Sequence, residues 1–148
     1  MGHITQEDIQ DLAEFEKGDL DLKIVSDSEV IFQSDEEGIV SVVSFAKGSG
    51  RNSRDLIIFD RVVGQAVALL FAYLSRESSQ KGAMVKKVLG VTGSQIAEEV
   101  LKRYQIPSHF LKTVPYIANR DQSGPCPFEL LSEGKTPEEF WKIVSEKC

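Results

Sequence analysis

Three short stretches hold most of the side chains that could bind or react. The first is Asp60-Arg61, where an apolar run meets a carboxylate and a guanidinium. The second is Thr92-Gly93-Ser94, two hydroxyls around a glycine at the entry to a helical pattern. The third is Asn119-Arg120-Asp121-Gln122-Ser123-Gly124-Pro125-Cys126-Pro127, where hydrogen-bonding side chains lead to a thiol between two prolines. A desolvated carboxylate becomes a base, and a thiol becomes a nucleophile once its proton is easily lost. Free N–H groups at a helix start suit an anion, as does a guanidinium. On this reading Cys126, Asp60 and Asp121 are the candidates for nucleophilic or acid–base work. Arg61, Thr92, Gly93, Ser94, Asn119, Arg120 and Gly124 are the candidates for holding a small polar or anionic, nucleotide-like ligand. Each also has a plainer role. Asp60 and Thr92 fit as helix caps, 119–127 fits as a surface loop of Asx turns, and Cys126 fits as a half-buried thiol.

Other chemistries lack their residues. His3 and His109 are the only histidines, and with two cysteines they form no local cluster, so no metal site and no cofactor is expected. Gly48–Ser53, with Arg51 and Arg54 nearby, could face a phosphate but lacks the Gly-Lys-Ser/Thr ending of a P-loop. No Gly-x-Ser-x-Gly elbow occurs.

The elements that must position these groups follow from periodicity. Thr5 is placed to cap a helix to about Glu16, with Asp8 as its box partner and Gly18 as its end. Leu20–Ser26 alternates as a strand, Asp27-Ser28 is a turn, and Val30–Phe32 returns as the second strand of a hairpin. The segment 38–47 fits a strand or a short helix, and its three- and four-residue spacings favour the helix. Leu56–Phe59 is a short strand, with Asp60 expected to cap a helix over Arg61–Leu74 that is apolar nearly all round and therefore central. Ala83–Leu89 is a strand, Thr92 caps Gly93–Tyr104, Phe110–Val114 is a strand, Tyr116–Phe128 is a loop, and Thr136 caps Pro137–Lys147. This order gives parallel crossovers beside an antiparallel pair: a single domain over 1–148 with one mixed sheet and helices on both faces, its N-terminal helix in 1–19 and its C-terminal helix in 136–148. In such sheets ligands bind beyond the carboxyl ends of the parallel strands, where the three stretches should converge.

The 148 residues carry a net charge of −6, and residues 1–38 alone hold 12 acidic and 2 basic side chains. The remaining basic excess is scattered, so no obligate nucleic-acid partner is expected. No apolar stretch reaches the roughly 20 residues that cross a bilayer, and the N-terminus lacks a signal-peptide pattern. With so few cysteines, a cytoplasmic protein without a membrane partner is the expectation.

Asp60-Arg61-Val62-Val63-Gly64-Gln65-Ala66-Val67-Ala68-Leu69-Leu70 and Val114–Glu129 resemble the corresponding motifs of an uncharacterised prokaryotic family, domain of unknown function 1893. The resemblance implies a three-layer α/β/α, cytidine-deaminase-like fold, and it marks Asp60, Gly64, Asn119, Arg120, Asp121, Gly124 and Cys126. This chain has Arg61 and Phe128 where the family pattern has Lys and Met. Zinc deaminases require a His/Cys-x-Glu and a Pro-Cys-x-x-Cys at successive helix starts. Here the helix starts read Asp60-Arg61-Val62 and Thr92-Gly93-Ser94, and three residues beyond Cys126 stands Glu129, so zinc-dependent deamination is not expected. A ligand-binding module is the leading reading. A metal-independent enzyme with Cys126 as nucleophile, and a homodimer pairing through apolar helix edges or 38–47, are the alternatives.

Overall fold

In a computed structural model of the protein, described for residues 3–48, 55–80, 85–118, 124 and 126–147, and for 76–80 without their side chains, the first helix is α1 (Gln6–Lys17). Its capping box closes as the sequence implies: Thr5 Oγ1 accepts from Asp8 N and the Asp8 carboxylate accepts from Thr5 N. The hairpin follows as β1 (Leu22–Ser26) and β2 (Glu29–Ser34). Its turn residues Asp27 and Ser28 both have positive φ, the backbone that matches strand twist in a two-residue hairpin. The ambiguous segment is a helix, α2 (Val40–Lys47), which buries Val42, Val43, Phe45 and Ala46.

β3 (Leu56–Val63) leads into α3 (Gln65–Gln80), β4 (Val85–Ser94) into α4 (Gln95–Arg103), and β5 (Ser108–Val114) toward α5 (Pro127–Ser132) and α6 (Pro137–Lys147). The sheet order is β2-β1-β3-β4-β5. β1 is antiparallel to β2 and to β3, while β3, β4 and β5 run parallel. α1 covers one face through Leu12 and Phe15 on Phe59 and Leu89. The other face carries the larger core, with α3 at its centre and Phe140 and Val144 of α6 behind it. The Tyr73 and Trp141 rings stack at 5.0 Å between α3 and α6.

Three boundaries correct the sequence reading. Asp60 caps no helix, because β3 continues past it. Asp60 pairs with Leu22 on one side and Gly90 on the other, and Val62 and Val63 still pair with β4. A strand paired on both sides satisfies its backbone groups better than a local cap would. Arg61 is accordingly a strand residue, and α3 begins only at Gln65. β4 likewise runs through Thr92 and Gly93, which pair with β5, so Ser94 is the cap of α4 and accepts from Ala97 N at 2.9 Å. Finally, the stretch read as loop to Phe128 ends in α5, with Pro127 in its first turn. The cap of α6 is as expected: Thr136 and Glu139 bond reciprocally.

Candidate functional site

The change from antiparallel to parallel pairing falls at β3, which is antiparallel to β1 and parallel to β4. At that edge, beyond the carboxyl end of β3, lies a cavity of about 500 Å³. Its polar wall residues are Asp21 before β1, Glu37 before α2, Arg61, and Cys126 and Glu129 at α5. Ile39, Val40, Val67, Ile117 and Phe128 supply an apolar side.

Asp60 lies on the sheet face that this cavity shares with α2 and α3, in step with buried Ile58, while Phe59 and Arg61 point toward α1. It is only 3% exposed. The N–H groups of Arg61 and Val62 bond to its carboxyl. Oδ2 has no hydrogen-bond partner among the described residues. Burial, reinforced by the neighbouring Asp21 carboxylate, holds Asp60 well above the usual carboxylate range. Asp21, also buried, is pushed up to about 6 by desolvation; Arg61 and the Gly38 N–H oppose this and Glu37 adds to it.

Glu129 closes the floor. Its carboxylate accepts from Gln65 N at 2.9 Å and Ala66 N at 2.8 Å, so it fills the N-terminal cap of α3 from a different helix. Burial raises its pKa and those two N–H bonds work against the rise. A Cβ on Gly64 would stand 2.6 Å from Glu129 Oε1 and 2.9 Å from Ile117, so this glycine permits the approach of α5.

The guanidinium of Arg61 is engaged elsewhere. It donates to the carbonyls of Phe15, Glu16, Gly18 and Leu20. Of the residues singled out by sequence, Arg61 and Cys126 line the cavity, and Asp60, which precedes Arg61 in β3, is not in its wall. Thr92, Gly93 and Ser94 are not in its wall. Ser94 is consumed as a cap, and Gly93 faces the Phe110 ring, which a Cβ would strike. Gly124 is half-buried with open space around it. Asn119, Arg120 and Asp121 lie outside the described residues; the flanks of that stretch, Ala118 and Cys126, both line the cavity, and Cys126 N donates to Ile117 O. Sequence reasoning missed Asp21, Glu37 and Glu129. Asp21 reads as the solvent side of an alternating strand, and only the position of Glu129 at the end of a long motif marks it. Among the described residues no group of three His, Cys, Asp or Glu is placed to hold a metal ion, and no helix is long and apolar enough to cross a membrane.

Residues 11–148 match the family model described as TM1506, domain of unknown function (DUF1893). The chain belongs to the DUF1893 family. A crystal structure of the DUF1893 family protein TM1506 from Thermotoga maritima is similar in fold, with a TM-score of 0.79 and 26% identity over 99% of this chain and 94% of that one. No curated protein matches this DUF1893 chain.

Proposed function

We propose that this DUF1893 protein binds a small polar molecule in the cavity between β1, β3, α2, α3 and α5. The observation that carries the reading is the cavity itself, walled by Asp21, Glu37, Arg61 and Cys126, with Asp60, whose buried carboxyl has one oxygen unpartnered among the described residues, directly preceding the wall residues Arg61 and Val62 in β3. Leaving such a group unbonded costs about 1–3 kcal/mol, which a stable fold tolerates most readily where a ligand completes it. The mixed sheet with helices on both faces is compatible with a cytidine-deaminase-like arrangement, and Ala118 and Cys126, which bracket residues 119–125, line the cavity. Arg120, Asn119 and Asp121 are assigned to the same site on that basis.

Native mass spectrometry of freshly purified protein, beside a denatured sample, tests the reading. The expected result is a retained small molecule in wild type, with occupancy reduced at least tenfold in Arg120→Ala and in Asp60→Asn. An empty wild-type protein whose melting temperature responds to no polar metabolite mixture would overturn it.

Cys126 in the same wall favours a second reading, in which its sulfur adds to a carbonyl carbon of the bound molecule, the C=O π pair moves onto the oxygen, and Asp60 or Asp121 carries the thiol proton to that oxygen. Iodoacetamide should then modify Cys126 in the free protein and be blocked by the retained molecule. Equal labelling of the loaded and stripped protein counts against a thiol that meets the ligand.

A further inference from the structure

The sheet ends in two edges, and they are not alike. β5 carries an exposed Lys112, a charge of the kind that guards an edge against stray pairing. β2 reads Glu29-Val30-Ile31-Phe32-Gln33-Ser34, with no Lys, Arg or Pro. No described strand lies on its outer side. Val30 is 48% exposed, Ile31 and Phe32 are partly so, and a shallow groove of about 420 Å³ runs along these residues and Gln33. A strand so placed still has the N–H and C=O groups of its outer side to offer. We propose that β2 is a docking edge, and that its partner is an extended segment of another protein, with an alternating apolar centre flanked by Lys or Arg, added antiparallel to β2.

Charge selects that partner. Residues 27–37 hold five carboxylates and no Lys or Arg. Asp27 stands at one end of β2, and Asp35, Glu36 and Glu37 stand at the other. All four are exposed, and none forms an ion pair among the described residues. The lysine of β1, Lys23, has its ammonium 4.5 Å over the Phe59 ring of β3, on the side away from this edge. An antiparallel segment lays its first residues beside 35–37 and its last beside Asp27, so cations at both of its ends meet carboxylates.

A second copy of this chain fits worse. Two-fold pairing of β2 with itself, centred anywhere from Ile31 to Phe32, sets Asp27 against Asp35, Glu36 or Glu37, and does so twice. Like charges directly opposite destabilise a sheet. The edge is also twisted. β1 pairs Ile24 with Phe32 but Val25 with Val30, so Ile31 is the extra residue of a β-bulge. A rigid sheet edge follows such a twist poorly, whereas a single extended segment follows it freely. Main-chain bonds then supply affinity, and alternate side chains meet Val30 on the face of α1 and Phe32, packed on Phe45, on the other. The edge touches the cavity only at Glu37 and needs no ligand there.

The probe is a capped, fluorescein-labelled peptide with a centre of alternating valine and threonine, two lysines before it and one after. One counterpart carries glutamate for every lysine; two others are the basic peptide N-methylated at one or the other set of alternate amides. Fluorescence anisotropy against the full chain should show the basic peptide binding at least tenfold more tightly than the acidic one. One methylated set should lose at least tenfold, and added salt should weaken the basic peptide. Hydrogen exchange should show protection in β2 and none in β5. Val30→Lys should weaken binding at least tenfold, and Asp35→Lys with Glu36→Lys should reverse the charge preference; these exposed sites leave the fold intact by circular dichroism. Equal affinity for the basic and acidic peptides, protection in β5 instead of β2, or no binding by any peptide overturns the proposal. A dimer in light scattering that Val30→Lys abolishes also overturns it, and gives the edge to a second copy.

Discussion

At Gly64 one missing side chain decides how two helices meet. The Glu129 carboxylate reaches the first N–H groups of α3 only because no Cβ stands in the way, 2.6 Å from Oε1. Gly64→Ala should therefore cost about 1–3 kcal/mol, the usual penalty for overfilling a packed contact. Glu129→Ala leaves Gln65 N and Ala66 N without their acceptor and should cost about 1–2 kcal/mol, in the range of a lost helix cap. The two losses share one contact. In the double variant they should sum to less than the singles by about 0.5–1 kcal/mol, with Ile117 still crowding the new methyl. Urea unfolding of the four proteins measures this; strict additivity would mean that Glu129 and Gly64 are not coupled.

At the scale of elements, α1 is fastened to the sheet at both ends. Near its start the Asp8 carboxylate, which serves the capping box, also takes Lys87 Nζ of β4 at 2.6 Å. At its end Arg61 collects the last carbonyls of the helix and of the link to β1, its guanidinium lying over the Phe15 ring. Arg61→Ala should cost about 2–3 kcal/mol, as hydrogen bonds from a charged donor do. Arg61→Lys should recover less than half of this, since one ammonium cannot reproduce a planar fork. Hydrogen exchange should show the loss first in α1 and the 18–21 link; uniform loosening of the sheet instead would contradict the fastening role. Sequence alone makes most of these elements legible, because caps and periodicity are local. Thr5 with Asp8, Thr136 with Glu139, and the apolar circumference of α3 all read correctly. The ends of β3 and β4 are not legible, because Asp60 and Thr92 are good caps in isolation and only pairing with β1 and β5 retains them as strand residues.

On the scale of the whole molecule, the class follows from the order of elements, while the site follows from the point where pairing changes direction. Asp60 and Cys126 stand out from their residue types. Asp21 does not, since its importance comes from burial and from its charge near Arg61 and Asp60, which no local pattern reports. That pair makes stability depend on pH. An acid whose pKa is raised in the fold keeps a proton that the unfolded chain has lost, so stability falls as pH rises between the unfolded and folded values. For Asp21 the window runs from 3.8 to about 6; for Asp60 it begins at the same place and extends higher. Asp8 and Glu139 do not offset this. Burial pushes Asp8 up, but its bonds to Lys87 and Thr5 outweigh it, and Glu139 is lowered mainly by the Thr136 N–H, so both act only below the ordinary carboxylate range. The protein should thus lose stability from pH 5 toward pH 8, with a slope of up to about 1.4 kcal/mol per pH unit for each proton held. Asp60→Asn should flatten the curve above pH 7, where Asp21 has lost its proton, make it shallower between pH 4 and pH 6, where both carboxyls contribute, and leave it unchanged below the unfolded value of 3.8. Urea midpoints at half-unit steps would show it. A wild-type slope that survives in the Asn variant would place the proton on another group, with Glu129, raised by its own burial, the next to replace.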